Sequence, residues 1–344
     1  MEKSAQEVVL TVSSSPHVRC NESIPKIMWT VVATLVPAAA FGVYYFGFNA
    51  LLNIIVSIVS AVFFEWAWEK FMHKKITIND GSAVITGLLL AMCCSPILPW
   101  WMCIVGSFIA IVVCKQAMGG LGYNLFNPAH VGRAGLMVSW PVAMTTWTQV
   151  NGSVIDGVAG ATPLNVLKQS GYDALLQLFN NDPMTMYQNM FLGFRNGSMG
   201  ETSTVLLILG GLFLMYKGYV KWQATVAMIA TVGILMWVFG GAVGAHVTGG
   251  LFTGDPIFHM MAGGLIIGAF FMSTDMVTAP ITLKGQLIFA VGAGVLTVLI
   301  RLLGGYPEGV CYSILLMNAV TPLIDLTVKP RIFGSVKVKA KEAE

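Results

Sequence analysis

Two segments, "DGSAVITGLLLAMCCSP" (residues 80–96) and "GGLIIGAFFMSTDMVTAP" (residues 263–280), share one order of features. Each is a small-residue, apolar stretch that ends at a proline. Each is followed by a second apolar stretch, a Gly-Gly pair at 119–120 or 304–305, and a segment that contains asparagine. This shared order predicts two copies of one structural unit.

The chain around these segments has the composition of an integral membrane protein. Hydrophobic residues make up 56% of its 344 residues and charged residues 10%, whereas soluble domains carry about 25% charged residues. Its apolar runs are close to the roughly 20 residues that cross a bilayer as a helix. We therefore predict an all-α polytopic membrane protein with ten transmembrane helices. The predicted spans are 26–46, 49–68, 83–98, 100–117, 129–146, 203–219, 222–243, 257–274, 285–303 and 309–327.

The repeated segments fall in the third and the eighth predicted span. Because five spans separate them, an odd number, the two units should run in opposite directions, as two inverted five-helix repeats over 26–146 and 203–327. Broken helices in such folds leave backbone groups that only protein, water or ligand can satisfy. The two Gly-Gly pairs are therefore candidate binding sites. Alternatively, these glycines only let neighbouring helices approach closely.

The basic residues predict the orientation. With the N-terminus inside, sixteen of the nineteen Lys and Arg residues flank spans on the cytoplasmic side, where short loops retain them. Residues 1–25 and 328–344 are then a cytoplasmic N-terminal segment and tail, and 147–202 is an extracytoplasmic loop. No cleaved signal peptide is recognised in 1–25. Since the basic residues mark topology, we expect no nucleic-acid partner.

The loop contains "IDGVAGATPLNVLK", residues 155–168. Locally, Thr162 followed by Pro163 is the pattern of a helix N-cap with proline at the first helical position. A threonine hydroxyl flanked by small residues is also a candidate site of covalent modification, provided that it is exposed to the modifying enzyme. Both interpretations can hold together, because a helix N-terminus also favours a negatively charged group.

Ionisable residues at membrane depth are costly and are therefore functional candidates. Asp275 and Glu308 lie inside the repeat motifs and are candidates for an ion pathway. Glu65 and Asp325 are more simply interpreted as solvated helix ends. The same interpretation remains open for Asp275 and Glu308. The six cysteines form no CxxC pair, so neither a disulfide framework nor a metal site is expected.

The motifs together resemble the RnfD/NqrB family, the flavin-carrying membrane subunits of the Rnf ferredoxin:NAD oxidoreductase and of the sodium-pumping NADH:quinone reductase. The compact N-terminus is more similar to the Rnf members. The stretches that carry the likeness, between residues 80 and 325, are "DGSAVITGLLLA", "GGLGYNLFNPAHVGRA", "DGVAGATPL", "GGLIIGAFFMSTDMVTAP" and "GGYPEGVCYSILLMNAVTPLID".

The resemblance implies covalent FMN, attached through its phosphate to a threonine by a flavin transferase that acts outside the cytoplasm. The family pattern Asp-x-x-(Ser)-Gly-Ala-Thr is matched by Asp156, Gly160, Ala161 and Thr162, with Ala159 where many members have serine. Pro163 and Leu164 complete the matching stretch. A second, non-covalent flavin, riboflavin, is a further candidate ligand for the asparagines of the two breaks. These asparagines are Asn124, Asn127 and Asn318.

The resemblance further implies a subunit of a redox-driven Na⁺ or H⁺ pump in a bacterial or archaeal cytoplasmic membrane. Such a subunit would relay electrons between ferredoxin and NAD. It would be inactive alone and would require iron–sulfur, NADH-binding and second FMN subunits as partners. No dinucleotide-binding fingerprint or cluster-ligand set is recognised in the chain itself. Two alternatives remain: a subunit of the quinone reductase, and a channel of the urea or ammonium type, whose inverted-repeat architecture the family resembles.

Overall fold

The computed structural model describes residues 22–148, 159–241 and 250–330, and these residues form helices with one short strand pair. The α-helices are α1 (Ile24–Phe46), α2 (Phe48–Phe71), α3 (Ser82–Met92), α4 (Trp100–Phe108), α5 (Pro128–Ser139), α6 (Pro141–Thr145), α7 (Pro163–Gln177), α8 (Pro183–Leu192), α9 (Thr204–Tyr216), α10 (Trp222–Phe239), α11 (Pro256–Met261), α12 (Leu265–Ile267), α13 (Leu283–Leu303) and α14 (Val310–Thr327). Two π-helical segments, Ile109–Gln116 and Gly268–Met272, continue α4 and α12. Ile78–Asp80 and Met199–Glu201 are 3-10 turns. Strands β1 (Trp147–Thr148) and β2 (Ala159–Gly160) pair antiparallel, with Trp147 opposite Gly160.

Five helices of the described residues, α1, α2, α10, α13 and α14, are long and apolar enough to cross a bilayer. They agree within a few residues with five of the predicted spans. Apolar side chains on their outer faces, such as Val36, Phe63 and Leu299, are exposed. Exposed apolar surface on this scale suits a lipid environment rather than water. The protein is therefore an all-helical polytopic membrane protein; the count of ten spans and the inverted repeat stay predictions.

The remaining predicted spans are shorter or interrupted. The helix predicted over 83–98 ends at Met92, and the one over 129–146 breaks at Trp140 before Pro141. The single helix predicted over 257–274 is wrong, because α11, α12 and a π-helical segment replace it. Its break lies at Gly263, whose φ of 68° belongs to the left-handed region that glycine adopts without steric cost.

Both Gly-Gly pairs interrupt helices, as the sequence predicts. Gly119 and Gly120 have φ values of 125° and 100° and separate the first π-helical segment from α5. Gly304 and Gly305 lie between α13 and α14. Close helix packing by glycine is also present elsewhere: a Cβ at Gly87 would lie 2.6 Å from the Ser57 carbonyl oxygen of α2.

Packing joins the two predicted repeat regions. Within 26–146, α2 packs on α3 and α4; within 203–327, α10 packs on α13. The contacts between the regions include α1 with α9 and α5 with α14. The segment between them carries α7 and α8, whose apolar side chains form a separate small core with Phe258 of α11. The helix breaks at 262–264 and 304–309 therefore meet the N-terminal end of α7.

Candidate functional site

Thr162 caps helix α7. Its Oγ1 accepts a hydrogen bond from the Asn165 backbone N–H at 3.2 Å, and Pro163 is the first helical residue. The N-cap prediction is confirmed. Leu164 is buried in the small core beside Leu175.

Thr162 is 3% exposed, so the expectation of an exposed hydroxyl is wrong for this conformation. Thr162 and residues 305–308 line one cavity. Ala161 is partly buried, and Gly160 lies in β2. Asp156 lies outside the described residues.

Thr162 borders a cavity of about 240 Å³, named here the Thr162 cavity. Side chains from α5, β1, α7 and the α13–α14 connection line it. They include Arg133, Trp147, Asn165, Tyr306 and Glu308. The structure therefore places one ion-pathway candidate, Glu308, beside the flavin-attachment candidate.

Arg133 and Glu308 form an ion pair in this wall. Arg133 Nη2 donates to Glu308 Oε2 at 2.5 Å, and the two side chains are 9% and 11% exposed. Among the described residues, no hydrogen-bond partner reaches Arg133 Nε or Glu308 Oε1. A buried guanidinium with a spare donor is suited to bind an incoming anion.

The sequence interpretation of Arg133 as a cytoplasmic topology marker is wrong. Its side chain is buried in the same cavity wall as Thr162 of the predicted extracytoplasmic loop. Burial in tertiary contacts, rather than retention in a loop, accounts for this arginine. Its position in the quoted "NPAHVGRA" stretch was the available signal.

Two further arginines lie near the pair. Arg195 Nη1 donates to the Met261 carbonyl at 2.6 Å, and Arg301 donates to the carbonyls of His259 and Ala262 at 2.6 and 2.8 Å. These acceptors belong to the C-terminal end of α11, where helical carbonyls lack intrahelical partners and attract cations. The break at Gly263 thus creates the acceptors that hold both arginines.

Glu201 completes this group. The residues Arg133, Arg195, Glu201, Arg301 and Glu308 are called the charge cluster below. Glu201 is 4% exposed, and its backbone carbonyl accepts from Arg195 Nε at 3.1 Å and Nη2 at 2.7 Å. The sequence analysis missed Glu201, because a glutamate just before an apolar run resembles an ordinary helix start.

Asn124 and Asn127 lie together at a different cavity, of about 110 Å³, named here the Asn124 cavity. Asn127 caps α5, with Oδ1 accepting from the backbone N–H groups of Ala129 and His130 at 3.1 and 3.3 Å. Asn124 Nδ2 donates to a backbone carbonyl, while its Oδ1 has no partner among the described residues. Asn318 is fully buried on α14 and does not line this cavity.

Asp275 also borders the Asn124 cavity and follows the second π-helical segment. Its Oδ1 accepts from the Val277 N–H at 3.4 Å and its Oδ2 from Thr278 Oγ1 at 3.1 Å. The structure therefore places Asp275 and Glu308 at two separate cavities rather than at one site.

A second buried ion pair lies beside the Asn124 cavity. Lys115 Nζ of the first π-helical segment is 2.6 Å from Glu65 Oε1 and 2.6 Å from Ser82 Oγ. The reading of Glu65 as a solvated helix end is wrong, since its side chain is 1% exposed. Lys115 is likewise a buried partner rather than a loop marker.

Lys168 and Tyr187 show how the segment 163–192 is fastened to the helices. Lys168 Nζ donates to the carbonyls of Gly304 and Tyr306, and burial lowers the pKa of its amino group. Tyr187 Oη donates to Asp255 Oδ2 at 2.6 Å. Burial raises the pKa of Tyr187 above its usual value, and this hydrogen bond adds to the shift. Lys168 thus tethers α7 to the α13–α14 connection, and Tyr187 tethers α8 to the N-cap residue of α11.

The helices and the two cavities define a multi-pass membrane protein with a buried ion pair at each cavity. Thr162, the N-cap residue of α7, borders one of these cavities. Residues 11–334 match the sequence profile of the family described as NQR2, RnfD, RnfE. The chain belongs to this family.

Relatives of known name extend the comparison. The chain is 63% identical over 327 residues to the D component of the proton-translocating ferredoxin:NAD(+) oxidoreductase complex of Clostridium ljungdahlii, covering 95% of this chain and 97% of the relative. It is 43% identical over 340 residues to the D component of the Na(+)-translocating ferredoxin:NAD(+) oxidoreductase complex of Acetobacterium woodii, covering 98% and 99%. It is 38% identical over 338 residues to the D component of the ion-translocating oxidoreductase complex of Stutzerimonas stutzeri, covering 91% and 93%.

Proposed function

We propose that this chain is the flavin-carrying membrane subunit, the RnfD counterpart, of an Rnf-type ferredoxin:NAD oxidoreductase that translocates ions. The relatives that cover almost the whole chain carry this complex in their names. The quinone-reductase alternative belongs to the same family but has no support from those names. The observation that carries the flavin part is the placement of Thr162 in one cavity wall with Arg133.

The residues around Thr162 fit a phosphate-linked FMN. A phosphate on Oγ1 would lie at the N-terminus of α7, where free N–H groups and the helix dipole favour negative charge. Arg133 supplies a buried guanidinium whose Nε is without a partner among the described residues. Trp147 and Tyr306 offer apolar ring faces in the same wall. Bound FMN supplies an acceptor of one or two electrons, the chemistry needed between iron–sulfur centres and nicotinamide.

The buried state of Thr162 adds a requirement to this proposal. A transferase reaches the hydroxyl only when the N-terminal turn of α7 is away from residues 305–308. We therefore propose that flavin attachment precedes or accompanies the docking of α7. The tether through Lys168 would then hold the loaded helix in place.

The Asn124 cavity is the proposed place of a second, non-covalent flavin such as riboflavin, which would require the cavity to widen beyond its volume of about 110 Å³. Asn124 Oδ1 is a buried acceptor without a partner among the described residues, and Phe270 and Phe271 give the cavity aromatic walls. A flavin ring offers an N–H donor that could reach such an acceptor. Asn127 would position the backbone of α5 through its cap rather than contact the ring. Asn318, away from this wall, receives no flavin contact in this proposal.

Ion coupling is proposed to act through carboxylates beside the two cavities. A change of charge in a cavity changes the free energy of ionising a nearby buried carboxyl group. Asp275 borders the Asn124 cavity and Glu308 borders the Thr162 cavity. The ionisation of each carboxyl group would therefore respond to an electron held on a flavin in the cavity that it borders.

The remaining centres are proposed to lie on partner subunits. Iron–sulfur, NADH-binding and second FMN subunits would supply the other redox groups, and a flavin transferase would load Thr162. The proposed location is a bacterial or archaeal cytoplasmic membrane, with both termini in the cytoplasm and 147–202 outside it.

In-gel fluorescence tests covalent attachment. The protein is co-expressed with its flavin transferase, run on a denaturing gel and viewed under ultraviolet light. We expect a fluorescent band that is lost in Thr162→Ala. Thr145→Ala is the matched control, because Thr145 borders the same cavity while its hydroxyl donates to the Pro141 carbonyl of its own helix. A band as bright in Thr162→Ala as in the control would place the flavin elsewhere.

A further inference from the structure

Glu201 lies in an unusual setting for a buried carboxylate. It ends the 3-10 turn before α9, and its Oε1 accepts from Ser198 Oγ at 2.8 Å. Arg195, the nearest cation along the chain, donates to the Glu201 backbone carbonyl and to the Met261 carbonyl. In the described residues, no ion pair compensates the Glu201 side chain itself. An ionised carboxylate buried without such a partner is strongly unfavourable.

The carboxyl group of Glu201 lies within hydrogen-bonding reach of Glu308. Glu308 Oε2 accepts from Arg133, whereas its Oε1 has no donor among the described residues. Ionised carboxylates only accept hydrogen bonds, so a hydrogen bond between the two groups requires a proton on one of them. Two neighbouring buried carboxylates also cannot both ionise at low cost.

The surrounding groups decide which residue holds the proton. Glu308 is paired with Arg133 of α5 and is close to Arg301 of α13, so it remains ionised. Glu201 faces Arg195, Ser198 and Glu308. The other titratable groups beside the cluster are the thiols of Cys93, which follows α3, and of Cys311 on α14, and the imidazoles of His130 near Arg133 and of His259 near Arg301.

We propose that Glu201 and Glu308 share one proton and form a proton-binding site beside the Thr162 cavity, which Glu308 lines. The site takes this proton from water that reaches the cavity. An anion entering the cavity draws Arg133 away from Glu308, which makes the carboxyl pair hold its proton more tightly. Removal of the anion restores the Arg133 pairing and weakens proton binding.

The role of this site in pumping rests on the proposed function, whereas the shared proton does not. With an electron on the flavin at Thr162 the cavity gains negative charge and the pair retains its proton. When the electron leaves, the proton is released to water. No bond other than the carboxyl O–H forms or breaks at this site.

Infrared spectroscopy of the purified complex tests the shared proton. We expect a carbonyl-stretching band of a protonated carboxylic acid at neutral pH, sensitive to exchange into heavy water, in the difference between the unmodified complex and Glu201→Gln. Glu69→Gln is the matched control, because Glu69 is equally buried but its carboxylate accepts hydrogen bonds from Thr77 N–H and Oγ1. Absence of the band from the unmodified complex overturns the proposal, whether or not the variants fold.

A third complex carrying Thr162→Ala separates this proposal from the flavin proposal. The carboxylic-acid band should persist there although the flavin is lost. If Glu201→Gln keeps both the carboxylic-acid band and the flavin fluorescence, the proton site is rejected. Flavin attachment at Thr162 is unaffected by that result. In vesicles, Glu201→Gln should lower proton translocation more than electron transfer, and equal loss of both contradicts the role in pumping.

Discussion

The two buried ion pairs of this protein differ in how completely their polar atoms are satisfied. In the Lys115–Glu65 pair the side chains are 2% and 1% exposed, and Lys115 Nζ also donates to Ser82 Oγ. Gln116 Nε2 is a second donor to Glu65 Oε1, at 2.8 Å, while Glu65 Oε2 has no partner among the described residues. All four residues belong to the first predicted repeat region and pack within α2, α3 and the first π-helical segment.

The Arg133–Glu308 pair joins residues 175 positions apart and lies in the wall of the Thr162 cavity. Its side chains are 9% and 11% exposed, and each retains a polar atom without a partner among the described residues. A buried ion pair offsets its desolvation cost only when further hydrogen bonds satisfy the remaining atoms. The first pair leaves one acceptor, Glu65 Oε2, without a partner among the described residues, whereas the second leaves both a donor and an acceptor. The second pair is therefore the more open of the two to an incoming group.

The largest expected effect is the loss of stability when the Lys115–Glu65 pair is broken. Lys115→Met should destabilise the protein by about 3–5 kcal/mol, because it leaves a buried carboxylate without its cation. Thermal unfolding in detergent measures this loss. The double variant Lys115→Met/Glu65→Gln should recover a large part of it. A single variant as stable as the original protein would mean that this pair is not structural.

Arg133→Met should destabilise the protein by less than Lys115→Met does, by about 1–3 kcal/mol. The Glu308 carboxyl borders a cavity and can be neutralised there by a proton from water. The substitution should also lower the amount of covalently bound flavin, since the guanidinium is the proposed phosphate partner. Unfolding curves and in-gel fluorescence of the same samples give both values. A loss of stability equal to that of Lys115→Met, with normal flavin content, would remove the distinction between the two pairs.

Thr162→Ala should destabilise flavin-free protein by roughly 1 kcal/mol, the usual effect of losing a threonine N-cap. Expression without the transferase isolates this effect from flavin loss. Thr145→Ala again serves as the control and should change stability less, because its hydroxyl donates only to carbonyls within its own short helix. An equal change in both variants would mean that the cap adds nothing specific.

Asp275→Asn should have the smallest effect on stability, within about 0.5 kcal/mol of the original protein. The asparagine Oδ1 can keep the contact with Val277 N–H, and its Nδ2 can donate to Thr278 Oγ1 in place of the second contact. Ion translocation into vesicles should nevertheless fall more than electron transfer. Equal loss of both activities would assign Asp275 a structural role and leave the Asn124 cavity without an ionisable coupling group.

Much of the fold follows from local patterns in the sequence. Long apolar runs predict α1, α2, α10, α13 and α14 because a helix must satisfy its backbone inside a bilayer. The two Gly-Gly breaks and the cap by Thr162 are likewise local, since glycine conformation and side-chain capping depend on a few neighbouring residues. These features were therefore predictable without any knowledge of remote contacts.

The composition of the site was decided by tertiary structure. Arg133 and Lys115 have the sequence pattern of topology markers, yet packing buries both against carboxylates far along the chain. The same packing covers Thr162 and brings Glu201 to Glu308. The sequence by itself determined a membrane protein of apolar helices, their main boundaries and the helix cap at residue 162. Only the tertiary structure decided which charges meet, because burial and ion pairing depend on distances between remote elements that local periodicity does not encode.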